Sequence, residues 1–251
     1  MSETSYFWED YSDEQLLELK LKDLGLKLRG SRVEPFVGRL YLDLQSKGLK
    51  FRPHCWISDE WFAADGVPGI ALPFFVVNER LAQLEKAMMT EVEGFDGDEC
   101  IKLLRHEAGH AIDNAYRLRL NKRRQKLFGL SSQPYPSSYA PQADSKQYVV
   151  HVNSWYAQSH PDEDWAETFA VWLGSEQWRQ DYQNWPALKK LNLLDEIMGV
   201  FNGKTPLLKN RQRPGEISKS SLTLREYYQA KAEHLRLASM DTLVTPSFAL
   251  N

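Results

Sequence analysis

The chain has 251 residues, 42% hydrophobic and 26% charged, which is the balance of an ordinary globular protein with enough material for a full core. Its formal net charge of −3 argues against a general nucleic-acid binder, and no apolar run is long enough to span a membrane. The acidic, polar start from Met1 to Tyr11 has neither the basic residues nor the apolar stretch of a secretory signal, so a cytoplasmic location is expected.

In chain order, Ser12 to Gln15 reads as a capping box that opens a Leu-rich helix. A second helix begins at about Glu34, presents Phe36, Val37, Leu40, Tyr41 and Leu44 on one side, and stops at Gly48. Leu49 to Ile57 and Val67 to Val77 are strand candidates. Pro73 lies inside the second, which is therefore either an edge strand open to pairing with an extended chain or an apolar core strand with a bulge. Asn78 caps a helix whose Leu81, Leu84, Met88, Met89 and Val92 read as core.

The next helix is predicted from Asp98 to Phe128, with Asp96 and Asp98 as cap candidates and Gly129 at its stop. Ile101, Leu104, Ala108, Ala111, Ile112 and Ala115 form its apolar stripe. Away from the centre of that stripe stands His106-Glu107-Ala108-Gly109-His110. Two imidazoles four residues apart stack on one wall of a helix and can share one zinc ion, which leaves a place for water. Glu107 projects beside them, where it can take a proton from that water. The plainer reading is two histidines on a solvated face, but that would not require small Ala108 and Gly109 between them. Those small residues admit a second helix or a metal. The glycine and third histidine of a metzincin are replaced by Asp113 and Tyr116, which excludes that subclass.

Arg117, Arg119, Lys122, Arg123, Arg124 and Lys126 read as a solvated helix end. Ser131 to Ala143, rich in serine and proline with Tyr135 and Tyr139, is a long irregular loop, either a plain connector or a segment that overhangs a cleft. Pro161 and the acidic residues after it start another helix. Its Trp165, Phe169, Trp172 and Leu173 form a core face, while Glu163, Glu167 and Ala170 share another. Those carboxylates are either a solvated acidic turn or a zinc ligand (Glu163) followed by a partner for the ring N–H of a ligating histidine (Glu167). His160, extended before its proline, is a weak substitute ligand; His151 and His54 read as structural or peripheral. Cys55 and Cys100 have no metal or disulfide spacing and read as buried small hydrophobes. Trp185 to Phe201 is helical, Gly203 to Ser221 a polar linker, Leu222 to Leu237 a last helix and Val244 to Asn251 a tail.

His-Glu-x-x-His followed on a later helix by Glu-x-x-Ala-Glu resembles the gluzincin branch of zinc metallopeptidases, including the lethal-factor type. Arg105 to Asn114, Tyr156-Ala157, and His160-Pro161 with Glu163 to Ala170 are more similar still to a group of bacterial proteins described as zinc-binding metallopeptidases. The likeness extends from about the first helix to about residue 200. It implies His106, His110 and Glu163 as zinc ligands and Glu107 as catalytic base. It also implies that Tyr156 matches the tyrosine that helps stabilise the transition state.

The expected fold is α+β and zincin-like, with a small mixed sheet, an edge strand over the active-site helix and a mainly helical C-terminal part. The expected division is residues 1–30 as an N-terminal helix, 31–202 as the metallopeptidase domain and 203–251 as linker, helix and tail. The expected cofactor is Zn2+, the expected partner a protein or peptide substrate, and the expected reaction hydrolysis of its peptide bonds. The alternatives are a zinc-stabilised regulatory or binding protein without turnover and a zinc hydrolase of a non-peptide amide.

Overall fold

A computed structural model describes residues 5–136 and 138–241. Local signals place most helix ends. Ser12 and Gln15 exchange both hydrogen bonds of a capping box at α1 (Asp13–Leu17). The α2 helix runs over Glu34–Ser46, and Asn78 caps α3 (Glu79–Met89) through the N–H of Arg80. Asp96 caps α4 (Gly97–Tyr116) by accepting from Asp98 and Glu99.

The predicted helix to Phe128 is broken. Arg117 takes a left-handed conformation (φ 55°), and Asn121 caps a separate α5 (Lys122–Phe128) by accepting from Arg123 and Arg124. Gly129 ends α5 as expected. The turn also lets Asp113 accept from the N–H of Arg119 at 2.6 Å. Beyond it follow α6 (Pro161–Gly174), α7 (Trp178–Asp181), α8 (Leu188–Phe201) and α9 (Leu224–Asp241).

Between α2 and α3 lie β1 (His54–Ser58) and β2 (Gly69–Pro73). They pair in parallel, from His54 with Gly69 to Ser58 with Pro73, so among the described residues the mixed sheet expected from the sequence is a two-stranded parallel one. The architecture is mostly helical and α+β. β2 packs against α4, but it is buried along its whole length, and a bridge from Phe62 to Ala71 covers part of its other side. Among the described residues β2 is therefore not the open edge strand expected; Pro73, which has no N–H, simply ends the ladder. The connection back to β2 is tied to α4 by Asn114, which donates to the carbonyls of Ala64 and Val67 and accepts from Gly66.

One apolar cluster runs from Trp8 and Leu16 through α2, α3, α4, α6 and α8 to Leu224 and Tyr228. The first thirty residues and α9 thus share the core of the middle of the chain. The contact between α9 and the N-terminal part is closed by hydrogen bonds from Leu21 to Leu222 and from Leu224 to Leu19. Lys231 of α9 is held between Glu60 and Glu85 at 3.0 and 2.9 Å. The tail from Val244 to Asn251 lies outside the described residues.

The α4–α6 pair is the most extensive helix contact. Gly109 makes it possible: a Cβ there would stand 2.8 Å from Ala166 Cα and 3.0 Å from its carbonyl oxygen. With α6 over it, α4 buries both its apolar stripe and the face that carries His106 and Glu107. The small residues between the histidines accommodate a second helix.

Candidate metal centre

The α4 helix carries His106, Glu107 and His110; α6 carries Glu163 and Glu167. Helical periodicity sets the first pair one above the other, with ring centroids 5.0 Å apart. The close packing at Gly109 brings α6 across them. His106 Nε2 and His110 Nε2 are 3.2 Å apart, and Glu163 Oε2 lies 3.0 Å from the first and 3.2 Å from the second.

Glu167 takes the other side of His106, whose Nδ1 donates to Glu167 Oε1 at 2.8 Å. The second oxygen of Glu167 accepts from the backbone N–H groups of Val152 (3.0 Å) and His151 (3.3 Å). With its proton on Nδ1, His106 turns an Nε2 lone pair toward Glu163 Oε2 and His110 Nε2. Acceptor atoms crowded this closely repel unless a proton or a metal cation sits among them. Tetrahedral zinc, with ligands at about 2.0–2.1 Å, sets its ligand atoms about 3.3 Å apart, and the observed separations suit it.

Charge balance at the centre is severe. His106, Glu107, Glu163 and Glu167 are all buried. Burial alone would raise the Glu163 pKa, but His110 and His106 hold it well below the usual carboxylate range. For His106, burial is outweighed by hydrogen bonds to Glu163 and Glu167, which raise its pKa well above the ordinary value. Glu107 goes the other way: burial pushes it up against the pull of both histidines, and its Oε2 has no hydrogen-bond partner. An orphaned buried carboxylate oxygen beside two imidazoles is a poor structural element and a suitable proton acceptor.

Tyr156 lies in a 3-10 segment, Asn153–Gln158, in which Ser154 and Trp155 take left-handed backbone angles (φ 64° and 52°). That strained bend turns the chain into the site, and the Tyr156 ring lies 5.8 Å from the His106 ring. Burial, with Glu163 and Glu107 nearby, raises its pKa and keeps the phenol protonated.

His160 is not among the converging groups. It caps α6, accepting from the N–H of Asp162 through Nδ1, while Nε2 donates to the carbonyl of Gln133. His151 Nε2 donates to the Lys102 carbonyl, and burial lowers the pKa of its ring. His54 contacts the Gln212 carbonyl. Both cysteines are free, and burial raises each thiol to about 12, so neither is a ready nucleophile.

Two residues acquire roles the sequence reading missed. Arg124, read as part of a solvated helix end, is fully buried and donates from Nη2 to Asp113 (2.9 Å) and Asp162 (2.8 Å), bracing the start of α6 against α4. Tyr135, from the serine- and proline-rich loop, donates to Glu163 Oε1 at 2.6 Å. No periodicity marks either residue; the only sequence cue is a tyrosine in a loop that follows the histidine-bearing helix. The loop is fastened elsewhere too, from Ser131 to Asp162, Tyr139 to the Ser154 carbonyl, and Gln142 to Gln158, so it is more than a connector.

Residues 100–184 match the model of a family described as putative zinc-binding metallo-peptidase. The match covers about a third of the chain, a narrower span than the sequence likeness suggested, but it contains all the residues of the centre. It supports, at a coarse level, a zinc-dependent peptidase. Comparisons with curated proteins and with solved structures give no match. Among the described residues, His106, His110 and Glu163 form the group able to hold a metal ion, and zinc is the cofactor on which the match and these donor atoms agree.

Proposed function

We propose that the protein hydrolyses peptide bonds in a protein or peptide substrate, with zinc held by His106, His110 and Glu163. The observation that carries this reading is the convergence of His106 Nε2, His110 Nε2 and Glu163 Oε2 within 3.2 Å beside the partnerless Glu107 Oε2. When bound, zinc supplies a Lewis acid that acidifies water and polarises a carbonyl.

The chain's own groups do the rest. Glu107 accepts a proton from the attacking water at Oε2 and passes it to the leaving amine; its burial makes it a stronger base than an exposed carboxylate. Tyr156, protonated and beside His106, donates to the oxygen that gains charge in the transition state. Glu167 holds His106 in the tautomer that turns its Nε2 lone pair toward Glu163 and His110, as a metal ligand requires. Residues 31–202 would form the catalytic unit, with 203–251 as linker, helix and tail.

Metal analysis with a broad peptide-library assay tests the reading. About one zinc per chain is expected, lost in His106→Ala, His110→Ala and Glu163→Ala, together with cleavage that a chelator abolishes. Protein prepared without chelator that neither contains nor takes up zinc overturns it. Zinc at full occupancy with no cleavage of any library member would instead favour a zinc-stabilised binding protein.

A further inference from the structure

Glu163 has two oxygens, and each meets a different partner. Oε2 faces the two imidazoles at 3.0 and 3.2 Å, while Oε1 accepts from the Tyr135 hydroxyl at 2.6 Å. Tyr135 reaches this point from a loop, so something must fix it. Its ring stacks on His160 with centroids 3.7 Å apart and planes 14° from parallel. His160 is buried and cannot turn without cost, because one ring nitrogen caps α6 at Asp162 and the other donates to the Gln133 carbonyl. The chain Gln133–His160–Tyr135–Glu163 therefore links the loop to the carboxylate, with the half-exposed Tyr135 held at its ring by His160 and at its hydroxyl by Glu163.

We propose that Tyr135, braced by His160, is a positioning residue that holds Glu163 to a single metal-facing oxygen. The inference rests on the reading of Glu163 as a ligand. A carboxylate with both oxygens free can chelate, as it commonly does around larger, higher-coordinate cations such as calcium. Chelation would fill the position that a hydrolytic zinc site keeps open for water. A short O–H···O contact on Oε1 competes with that option and leaves Oε2 as the oxygen facing the histidines. Glu167 needs no such device, because its second oxygen is already taken by two backbone N–H groups. The same arrangement gives His160 a purpose that ligation does not.

Tyr135→Phe removes the hydroxyl and keeps the ring that stacks on His160. Zinc affinity, measured by chelator competition, is expected to fall by about 10- to 100-fold, the usual scale for a lost hydrogen bond to a ligand. The cobalt-substituted variant should also lose the strong visible absorption of a four-coordinate site and show the weaker bands of higher coordination. His160→Ala should move both readouts in the same direction by a smaller amount. If the variants fold poorly, zinc-edge absorption of the wild-type protein reads the coordination directly, with about four nitrogen or oxygen ligands near 2.0–2.1 Å expected. Wild-type zinc binding with unchanged affinity and cobalt spectrum in Tyr135→Phe overturns the proposal alone, as does a six-coordinate wild-type site. A wild-type protein that binds no zinc overturns the ligand reading and this proposal with it.

Discussion

Gly109→Ala puts the packing of the centre to a direct test. In an exposed helix the change stabilises by about 1 kcal/mol, because glycine loses more backbone freedom on folding. Here the added Cβ would lie 2.8 Å from Ala166 Cα, 3.0 Å from the Ala166 oxygen and 3.2 Å from Phe169 Cβ. Ordinary carbon contacts lie at about 3.5–4.0 Å, so roughly 0.7 Å or more must be found between two helices. The obstructing atoms are backbone and Cβ atoms, which cannot rotate away. Overpacking of this kind costs about 1–3 kcal/mol, and the upper half of that range applies when both elements are rigid. The bond from Trp165 Nε1 to the Gly109 carbonyl, 3.1 Å long, would be stretched as well. The clash should therefore outweigh the propensity gain by about 1–2 kcal/mol, lowering Tm by about 2–8 °C for a chain of this size. Zinc affinity should fall too, because α4 carries the histidines and α6 carries Glu163, and ligand positions tolerate only about 0.2 Å. Denaturant unfolding of the metal-free protein and chelator competition measure the two effects. Gly38→Ala in α2 and Gly199→Ala in α8 serve as controls, since nothing lies within 4 Å of a Cβ at either site; both should be neutral or stabilising. A Gly109→Ala protein as stable as the wild type, with unchanged zinc affinity, would refute the packing argument.

Glu107→Gln should retain zinc and the folded state while turnover falls by about 100-fold or more; an unchanged rate on a genuine substrate would remove Glu107 from the chemistry. Tyr156→Phe should lower kcat by about 10- to 1,000-fold with KM and zinc content little changed; a rise in KM alone would make the tyrosine a substrate-binding group, and unchanged kcat and KM would return it to a packing role. Arg124→Leu leaves the carboxylates of Asp113 and Asp162 buried without their shared cation, so unfolding should be easier by about 3–5 kcal/mol. Lys122→Ala and Lys126→Ala, at exposed positions of the same helix, should each stay within about 0.5 kcal/mol of wild type by denaturant titration. Free zinc at 100 times its dissociation constant should raise stability by about 2.7 kcal/mol, so a melting curve unmoved by chelator would contradict a folded-state metal site.

Much of the helical framework was legible locally. The Ser12–Gln15 box, the Asn78 and Asp96 caps and the Gly129 stop each act within one turn, so residues a few positions apart suffice to read them. The same reasoning set His106 above His110, because an i,i+4 pair is positioned by its own helix, and it gave Glu163 and Glu167 one shared face. Helix α4 was overextended because the basic run has good propensity. What breaks it is the left-handed Arg117 and the Asn121 cap, which allow Arg124 to reach Asp113 and Asp162. Propensity yields where a buried charge must find its partners.

By itself, then, the sequence determined the periodic features: the histidine wall on α4, the acidic wall on α6, and the glycine small enough to let them meet. Only the tertiary structure decided which carboxylate oxygen meets which imidazole, because Glu163 and Glu167 reach His106 across 57 and 61 positions of chain. It also buried β2 and brought Tyr135 across 28 positions to Glu163. Contacts over such separations are fixed by how whole helices and loops pack around a shared core, and no repeating pattern along the chain encodes them.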